Sequence, residues 1–119
     1  MSGELTGQTI VELHRRLRRK EVSAVELLDA HEARIDAVDG NVKAFLRRTP
    51  ELARKQAQEA DRRLAAGTGL HPLTGIPMAI KDVFCTEGVE TTAGSRILSG
   101  FISPYDATVI AHQVSQENK

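Results

Sequence analysis

Among the side chains able to move a proton, Lys81 has the most suggestive surroundings. It lies in the run Gly75-Ile-Pro-Met-Ala-Ile-Lys-Asp-Val-Phe-Cys-Thr86. If this run is a strand, Lys81 shares a face with Ala79 and Val83, while Ile80 and Asp82 point to the other side. An ammonium drawn out of water among apolar neighbours loses its preference for the charged form, and its pKa falls toward the range of a usable base. The competing reading is a solvated surface lysine, the ordinary fate of this residue type. Cys85 is the other candidate nucleophile. The four histidines are scattered and give it no recognisable partner, and a strand cysteine is usually a small buried hydrophobe. His31 lies near an apolar helical stripe without a second ligand at metal spacing, so it receives no role.

The elements that must position Lys81 follow from pattern and punctuation. Thr9 and Glu12 form a capping box that starts a first helix, with Ile10, Leu13 and Leu17 as its stripe. The basic run His14-Arg-Arg-Leu-Arg-Arg-Lys20 falls mostly off that stripe, on a face that solvation accounts for. Ser23 and Glu26 repeat the capping box, and Val22 and Leu27 have the spacing of a hydrophobic staple. A second helix follows with Val25, Leu28, Ile35 and Val38 on one stripe, ending at Asp39-Gly40-Asn41. Val42, Ala44 and Leu46 alternate as a short strand or an extended crossing segment. Thr49 and Pro50 then open a third helix with a seam of Ala53, Ala57, Ala60 and Leu64, supported by Glu51/Lys55 and Glu59/Arg63 pairs and stopped by Gly67. The glycine- and proline-bearing loop from Gly67 to Gly75 matches neither common phosphate-cradling spacing. Met78 to Thr86 reads as an extended, near-continuous apolar run of the kind covered on both faces. Glu87-Gly88 marks a turn, Val89 to Thr92 a short return strand, and Asp106 a cap for a last helix carrying Val109, Ile110 and Val114.

Composition sets the outer limits. The 119 residues suffice for one small domain, and 40% hydrophobic with 27% charged is ordinary for a globular chain. Sixteen basic residues balance sixteen acidic ones, so no global field attracts nucleic acid or an anionic membrane. A single cysteine excludes an internal disulfide and suits a reducing compartment. No apolar run reaches membrane-spanning length, and the start Met-Ser-Gly-Glu-Leu-Thr-Gly-Gln has neither a signal-peptide core nor an arginine-rich transit pattern, so cytoplasm is the expected location.

From Pro72 onward the sequence resembles the amidase signature family. The residues that carry the likeness are Pro72-Leu-Thr-Gly-Ile-Pro77, Ala79-Ile-Lys-Asp82, Cys85-Thr86, Gly88, Thr91-Thr92, Gly94-Ser95 and Pro104-Tyr-Asp-Ala-Thr-Val109. The Gly-Ile-Pro followed by Ile-Lys-Asp marks the family. Cys-Thr before the glycine and the Pro-Tyr-Asp-Ala-Thr run are most similar to its tRNA-dependent branch, the A subunits of glutamyl-tRNA(Gln) amidotransferases. The helical segment before Pro72 is also similar, so the likeness extends to about Ala111.

The resemblance implies an α/β chain in which N-terminal helices (1–70) lead into the first strands of an α/β/α mixed-sheet core (71–119), with that core truncated. It implies a catalytic set of one lysine, a serine in a cis peptide and a nucleophilic serine, and only Lys81 carries over. None of Ser2, Ser23, Ser95, Ser99, Ser103 and Ser115 sits in the family's Ser-Ser-Gly-Gly-Ser pattern or in a Gly-x-Ser-x-Gly turn. In the complete enzyme the lysine is the general base or acid, acting through the bridging serine while the nucleophile attacks the side-chain amide of glutamine. The ammonia converts Glu-tRNA(Gln) to Gln-tRNA(Gln) with the partner B and C subunits, which use ATP; no cofactor is expected in this chain. After Ala111 the family pattern continues the helix into another strand, whereas here His112-Gln-Val-Ser-Gln-Glu-Asn-Lys119 closes the sequence. A truncated chain without amidase activity is therefore expected, with strand edges near Lys81 left unpaired. Two other classes remain open: a non-catalytic module that binds the other amidotransferase subunits, and a fragment of a general small-amide amidase, which Pro104-Tyr-Asp-Ala-Thr108 disfavours.

Overall fold

The computed structural model describes residues 5–111. They divide into a compact unit ending at Pro77 and a second beginning at Met78.

The first unit is helical. Helix α1 spans Ile10–Arg18. Its capping box is complete: the Glu12 amide donates to Thr9 Oγ1 at 3.2 Å, and the Thr9 amide donates to Glu12 Oε2 at 2.9 Å. The helix ends in a Schellman arrangement, in which the Glu21 amide reaches Arg16 O (3.0 Å) and the Lys20 amide reaches Leu17 O (3.1 Å). Lys20 takes the left-handed conformation there, with φ 60°. Of the apolar stripe, Leu13 and Leu17 are buried, while Ile10 is half exposed.

Helix α2 spans Ala24–Val42, and Ser23 caps it by accepting the Glu26 amide at 3.0 Å. The reciprocal half of the expected box is not formed; instead a carboxylate from another element takes the next two amides. Asp61 of helix α3 (Pro50–Ala66) accepts the Ala24 amide at 2.6 Å and the Val25 amide at 3.2 Å. Two first-turn amides of α2, which an isolated helix leaves to water, are thus tied to its neighbour. Val22 and Leu27, the staple pair, both lie in the buried cluster.

The expected stop at Asp39-Gly40-Asn41 is corrected. The helix continues through Gly40, and Lys43 takes the left-handed cap position with φ 56°. Asp39 does not break the helix but gathers its end: its main-chain oxygen accepts the Lys43 amide at 2.7 Å, and its carboxylate accepts the Ala44 amide at 2.7 Å. Val42 is therefore helical, and residues 43–49 cross to α3 without forming a strand. Arg48 at the far end of this crossing bridges to Glu32 and Asp36 of α2, and Arg54 of α3 bridges to Asp29.

Helix α3 starts with Pro50 at its first position and ends at Gly67, whose amide donates to Arg63 O at 2.8 Å. Thr49 occupies the cap position without a side-chain bond. Ala57 and Ala60 of the seam are buried, with Ala53 and Leu64 packed beside them. Glu59 pairs with Arg63 as the spacing required and also with Arg62; Glu51 and Lys55 form no ion pair among the described residues.

These helices enclose one apolar core. Leu17 is 1% exposed and Leu27 is fully covered, and burying a leucine side chain stabilises by about 1.5–3 kcal/mol. The loop after Gly67 closes on the same core through Ile76. Gly75 just before it has φ 83°, and a Cβ built there would lie 3.2 Å from Ala24 Cβ and 3.3 Å from Leu17 Cδ1, so glycine permits the close approach.

No strand forms among the described residues, so the α/β expectation lacks its sheet. The stretch from Ile76 to Lys81 has no regular secondary structure, and a turn follows at Asp82. A strand requires ladder hydrogen bonds as well as extended dihedrals, and no described segment pairs with Met78–Lys81. The return strand over Val89 to Thr92 reduces to one antiparallel bridge, Glu90 with Ile102. A short 3-10 turn spans Arg96–Leu98.

Candidate functional site

Lys81 opens a turn. Its carbonyl accepts the Phe84 amide at 3.0 Å, and its side chain is exposed, as are Ala79, Ile80 and Val83. The apolar enclosure expected from strand alternation is therefore not formed by the described residues. The turn carries Val83 out of register with Ala79, and no neighbouring described segment covers either face.

What positions Lys81 is the residue after it. Asp82 Oδ1 accepts the Thr92 amide at 3.0 Å, Asp82 Oδ2 accepts the Thr92 hydroxyl, and the Asp82 carbonyl accepts the Ala93 amide at 3.0 Å. Thr92 in turn accepts the Gly94 amide on its hydroxyl (3.3 Å) and the Ser95 amide on its carbonyl (2.8 Å). The chain reverses there because Ala93 and Gly94 both take positive φ, 51° and 74°. Side chain and main chain of Asp82 are thus clamped at once, and the peptide leading to Lys81 is held by that clamp. The family likeness runs through Asp82, Thr91 and Thr92 without assigning them a bond. The signal available in the sequence was a short carboxylate and a threonine flanking two turn signals, a pattern suited to a side-chain-stapled loop.

The rest of this unit is built in the same way. The Gly88 amide donates to Ser103 O at 2.9 Å, and the Thr91 amide donates to Phe101 O at 3.0 Å. Ser103 is almost fully buried; its hydroxyl donates to Tyr105 O at 2.6 Å and accepts the Tyr105 amide at 3.3 Å. Asp106 does not cap the last helix, as its position before Val109 and Ile110 suggested. Its carboxylate accepts the Glu87 amide at 2.7 Å, and Ala107 takes the cap position, accepting the Ala111 amide at 2.9 Å. Val114 lies outside the described residues. The buried side chains of this unit are chiefly polar, namely Thr91, Thr92 and Ser103, with Ile110 as its buried apolar residue.

Cys85 Sγ lies 3.9 Å from the Tyr105 hydroxyl, and the Cys85 carbonyl accepts the Ala107 amide at 2.8 Å. The hydrogen bond with Cys85, its charge and a little desolvation, in that order, raise the Tyr105 phenol above its ordinary value. The described residues of this unit include no histidine to activate the thiol. In the first unit His31 Nδ1 contacts Leu27 O at 2.8 Å, and His71 Nδ1 accepts the Leu73 amide at 3.2 Å; both are occupied in local structure. No cluster of three metal-ligating side chains occurs among the described residues.

The family model for amidases matches residues 26–115. The chain belongs to the amidase family. The A subunit of glutamyl-tRNA(Gln) amidotransferase from Geobacter sp. (strain M21) is 54% identical over 108 residues, 91% of this chain. The corresponding protein from Methylococcus capsulatus (strain ATCC 33009 / NCIMB 11132 / Bath) is 53% identical over 103 residues, 87% of this chain. The chain spans about a fifth of the length of these curated relatives, 22% and 21%. A solved structure described as "An unexpected vestigial protein complex reveals the evolutionary origins of an s-triazine catabolic enzyme" superposes with a TM-score of 0.87 and 35% identity, over 92% of this chain and 24% of the other. The helices and the clamped loop around Lys81 thus have an amidase-like fold neighbour. Among the described residues no helix is long and apolar enough to cross a membrane.

Proposed function

We infer that this chain supplies the N-terminal portion of the glutaminase subunit of a tRNA-dependent amidotransferase. The observation that carries the reading is the identity of 54% to the Geobacter amidotransferase protein across 91% of the chain. The Asp82–Thr92 clamp beside Lys81 supports it as a rigid seat for a proton-transferring amine. In this reading the partners are the B and C subunits, the substrates are glutamine and Glu-tRNA(Gln), ATP is used on a partner subunit, and the setting is cytoplasmic.

The chemistry assigned to Lys81 is proton transfer. Its neutral amine takes the proton of a nucleophilic serine through a bridging serine, and the serine oxygen attacks the glutamine side-chain carbonyl. As the carbon–nitrogen bond breaks, the same proton is returned to the leaving nitrogen and ammonia departs. Water then hydrolyses the serine ester to glutamate. Both serines belong to polypeptide beyond the residues of this chain, so the chain alone is assigned no turnover.

A chimera tests this. The N-terminal segment of the Geobacter relative is replaced by this chain, and Gln-tRNA formation from glutamine is measured with that relative's partner subunits. An active chimera that Lys81→Ala abolishes and Cys85→Ala leaves active is the expected result. An inactive but folded chimera, or one that tolerates Lys81→Ala, overturns the assignment, as does glutamine hydrolysis by the unfused chain.

A further inference from the structure

We propose that the C-terminal half of α1 is a docking surface for the phosphate backbone of folded RNA, with Arg15, Arg18, Arg19 and Lys20 as its contacts. The choice of RNA as the polyanion rests on the functional reading above; the surface itself rests on how charge is partitioned in the helical unit.

Most arginines of α2, α3 and the crossing between them are used internally, Arg34 of α2 being one without an acidic partner among the described residues. Arg48, Arg54, Arg62 and Arg63 all bridge to acids of the same unit. At the end of α1 the pattern is the reverse. None of Arg15, Arg18, Arg19 and Lys20 has an acidic partner within ion-pair distance among the described residues. The acids close by in sequence are already engaged: Glu12 holds the Thr9 amide, and Glu21 bridges to Arg16 at 3.6 Å. Four positive charges therefore crowd one helix terminus of a chain whose net charge is zero. The negative end of the helix dipole favours cations there by a small, salt-screened amount, which accounts for a last-turn preference but not for four unneutralised charges. The Schellman turn fixes Arg19 and Lys20 beyond the helix end. Arg15 and Arg19, one turn apart, line a surface recess of about 290 Å³ together with Gln8, Glu12, Arg16 and Glu21.

Three observations choose among polyanions. Three of the four cations are arginines, whose planar fork matches phosphate oxygens better than an ammonium does. The apolar stripe that a membrane-lying helix would insert is spent, because Leu13 and Leu17 are buried in the core. Between Leu5 and Ala44 the sequence has no phenylalanine, tyrosine or tryptophan on which an unpaired base could stack, so the contacts read backbone rather than bases, as suits a folded RNA.

The test is binding of the full chain to unfractionated tRNA by fluorescence anisotropy across about 50–200 mM KCl. Poly(U) and phosphatidylcholine vesicles containing phosphatidylserine are the comparison probes. The expected result is salt-dependent tRNA binding that exceeds binding to either comparison probe. The triple variant R15E/R18E/R19E is expected to bind at least about tenfold more weakly, with a slope against log salt shallower by roughly three. R15Q/R18Q, a milder change at the same helix end, lowers the slope by about two, and R54E/R62E, at paired arginines, leaves it unchanged. Circular dichroism checks that each variant keeps its helices. Absent tRNA binding, equal slopes in the native chain and the triple variant, tighter binding to poly(U), or binding to vesicles in preference to tRNA overturns the proposal. Failure here with an active chimera removes the RNA surface alone; an inactive chimera with salt-dependent tRNA binding removes the amidotransferase reading alone.

Discussion

Asp82 grips Thr92 with both carboxylate oxygens, one on the backbone amide at 3.0 Å and one on the hydroxyl. The two residues are ten apart, and the bond closes the loop that separates Lys81 from the Thr-Thr-Ala-Gly turn. Asp82→Ala removes a charged acceptor and leaves the Thr92 donors without it. The expected cost is about 1.5 kcal/mol, the low end for bonds to charged groups, because the site is partly solvated. Native-state hydrogen exchange is expected to show faster exchange of the Thr92 and Ala93 amides, with the helical amides unaffected. Thr92→Ser retains the hydroxyl and is expected to preserve protection at Asp82's partners. Unchanged exchange at Thr92 in the Asp82→Ala variant would show that the clamp does not hold this loop.

Asp61 has the same function between helices, where it takes two first-turn amides of α2. Asp61→Ala is expected to destabilise the helical unit by about 1–2 kcal/mol, comparable to losing an N-cap side chain. Urea unfolding followed by circular dichroism measures it. Asp61→Asn keeps one acceptor oxygen and is expected to recover part of the loss. Equal midpoints for the native and alanine proteins would contradict the bond's role.

Gly75 and Gly88 separate the two reasons for needing glycine. Both have positive φ, 83° and 77°, but only at Gly75 would a Cβ press on Ala24 and Leu17. Gly88→Ala is expected to cost about 1 kcal/mol from the left-handed backbone alone. Gly75→Ala adds overpacking against a side chain and a helix and is expected to cost about 2–3 kcal/mol. The order of the two in thermal unfolding is the test, and a Gly88→Ala variant as damaged as Gly75→Ala would refute it.

Tyr105 and Cys85 predict a spectroscopic shift. The phenol is raised above its usual 10.0 by the hydrogen bond and then the charge of Cys85. A group whose folded pKa is raised contributes its stabilisation at pH below the unfolded value, and that contribution is lost as pH rises through the folded one. Tyrosinate absorbance, with Tyr105 as the only tyrosine, is expected to rise at higher pH in the native chain than in Cys85→Ala. Coincident titration curves in the two proteins would mean that the contact does not persist in solution.

The residues alone determined the helices and the family. Thr9 with Glu12, Pro50 with Gly67, and the alanine seam of α3 are local codes, read within one or two turns, and the structure keeps all three. The order Gly-Ile-Pro, Ile-Lys-Asp, Pro-Tyr-Asp-Ala-Thr likewise marks an amidase without any coordinates, because it is a property of sequence order. Tertiary structure decided whatever depends on distant partners. Gly40 stays helical because Asp39 anchors the amides that follow, and α2 is capped from α3 by a carboxylate 37 residues away from Ala24. Met78–Lys81 is not a strand, since a strand is defined by its neighbour and none of the described residues supplies one. For the same reason Lys81 is exposed: alternation tells which side chains share a face, and only the packing of other polypeptide against that face decides whether it is dry.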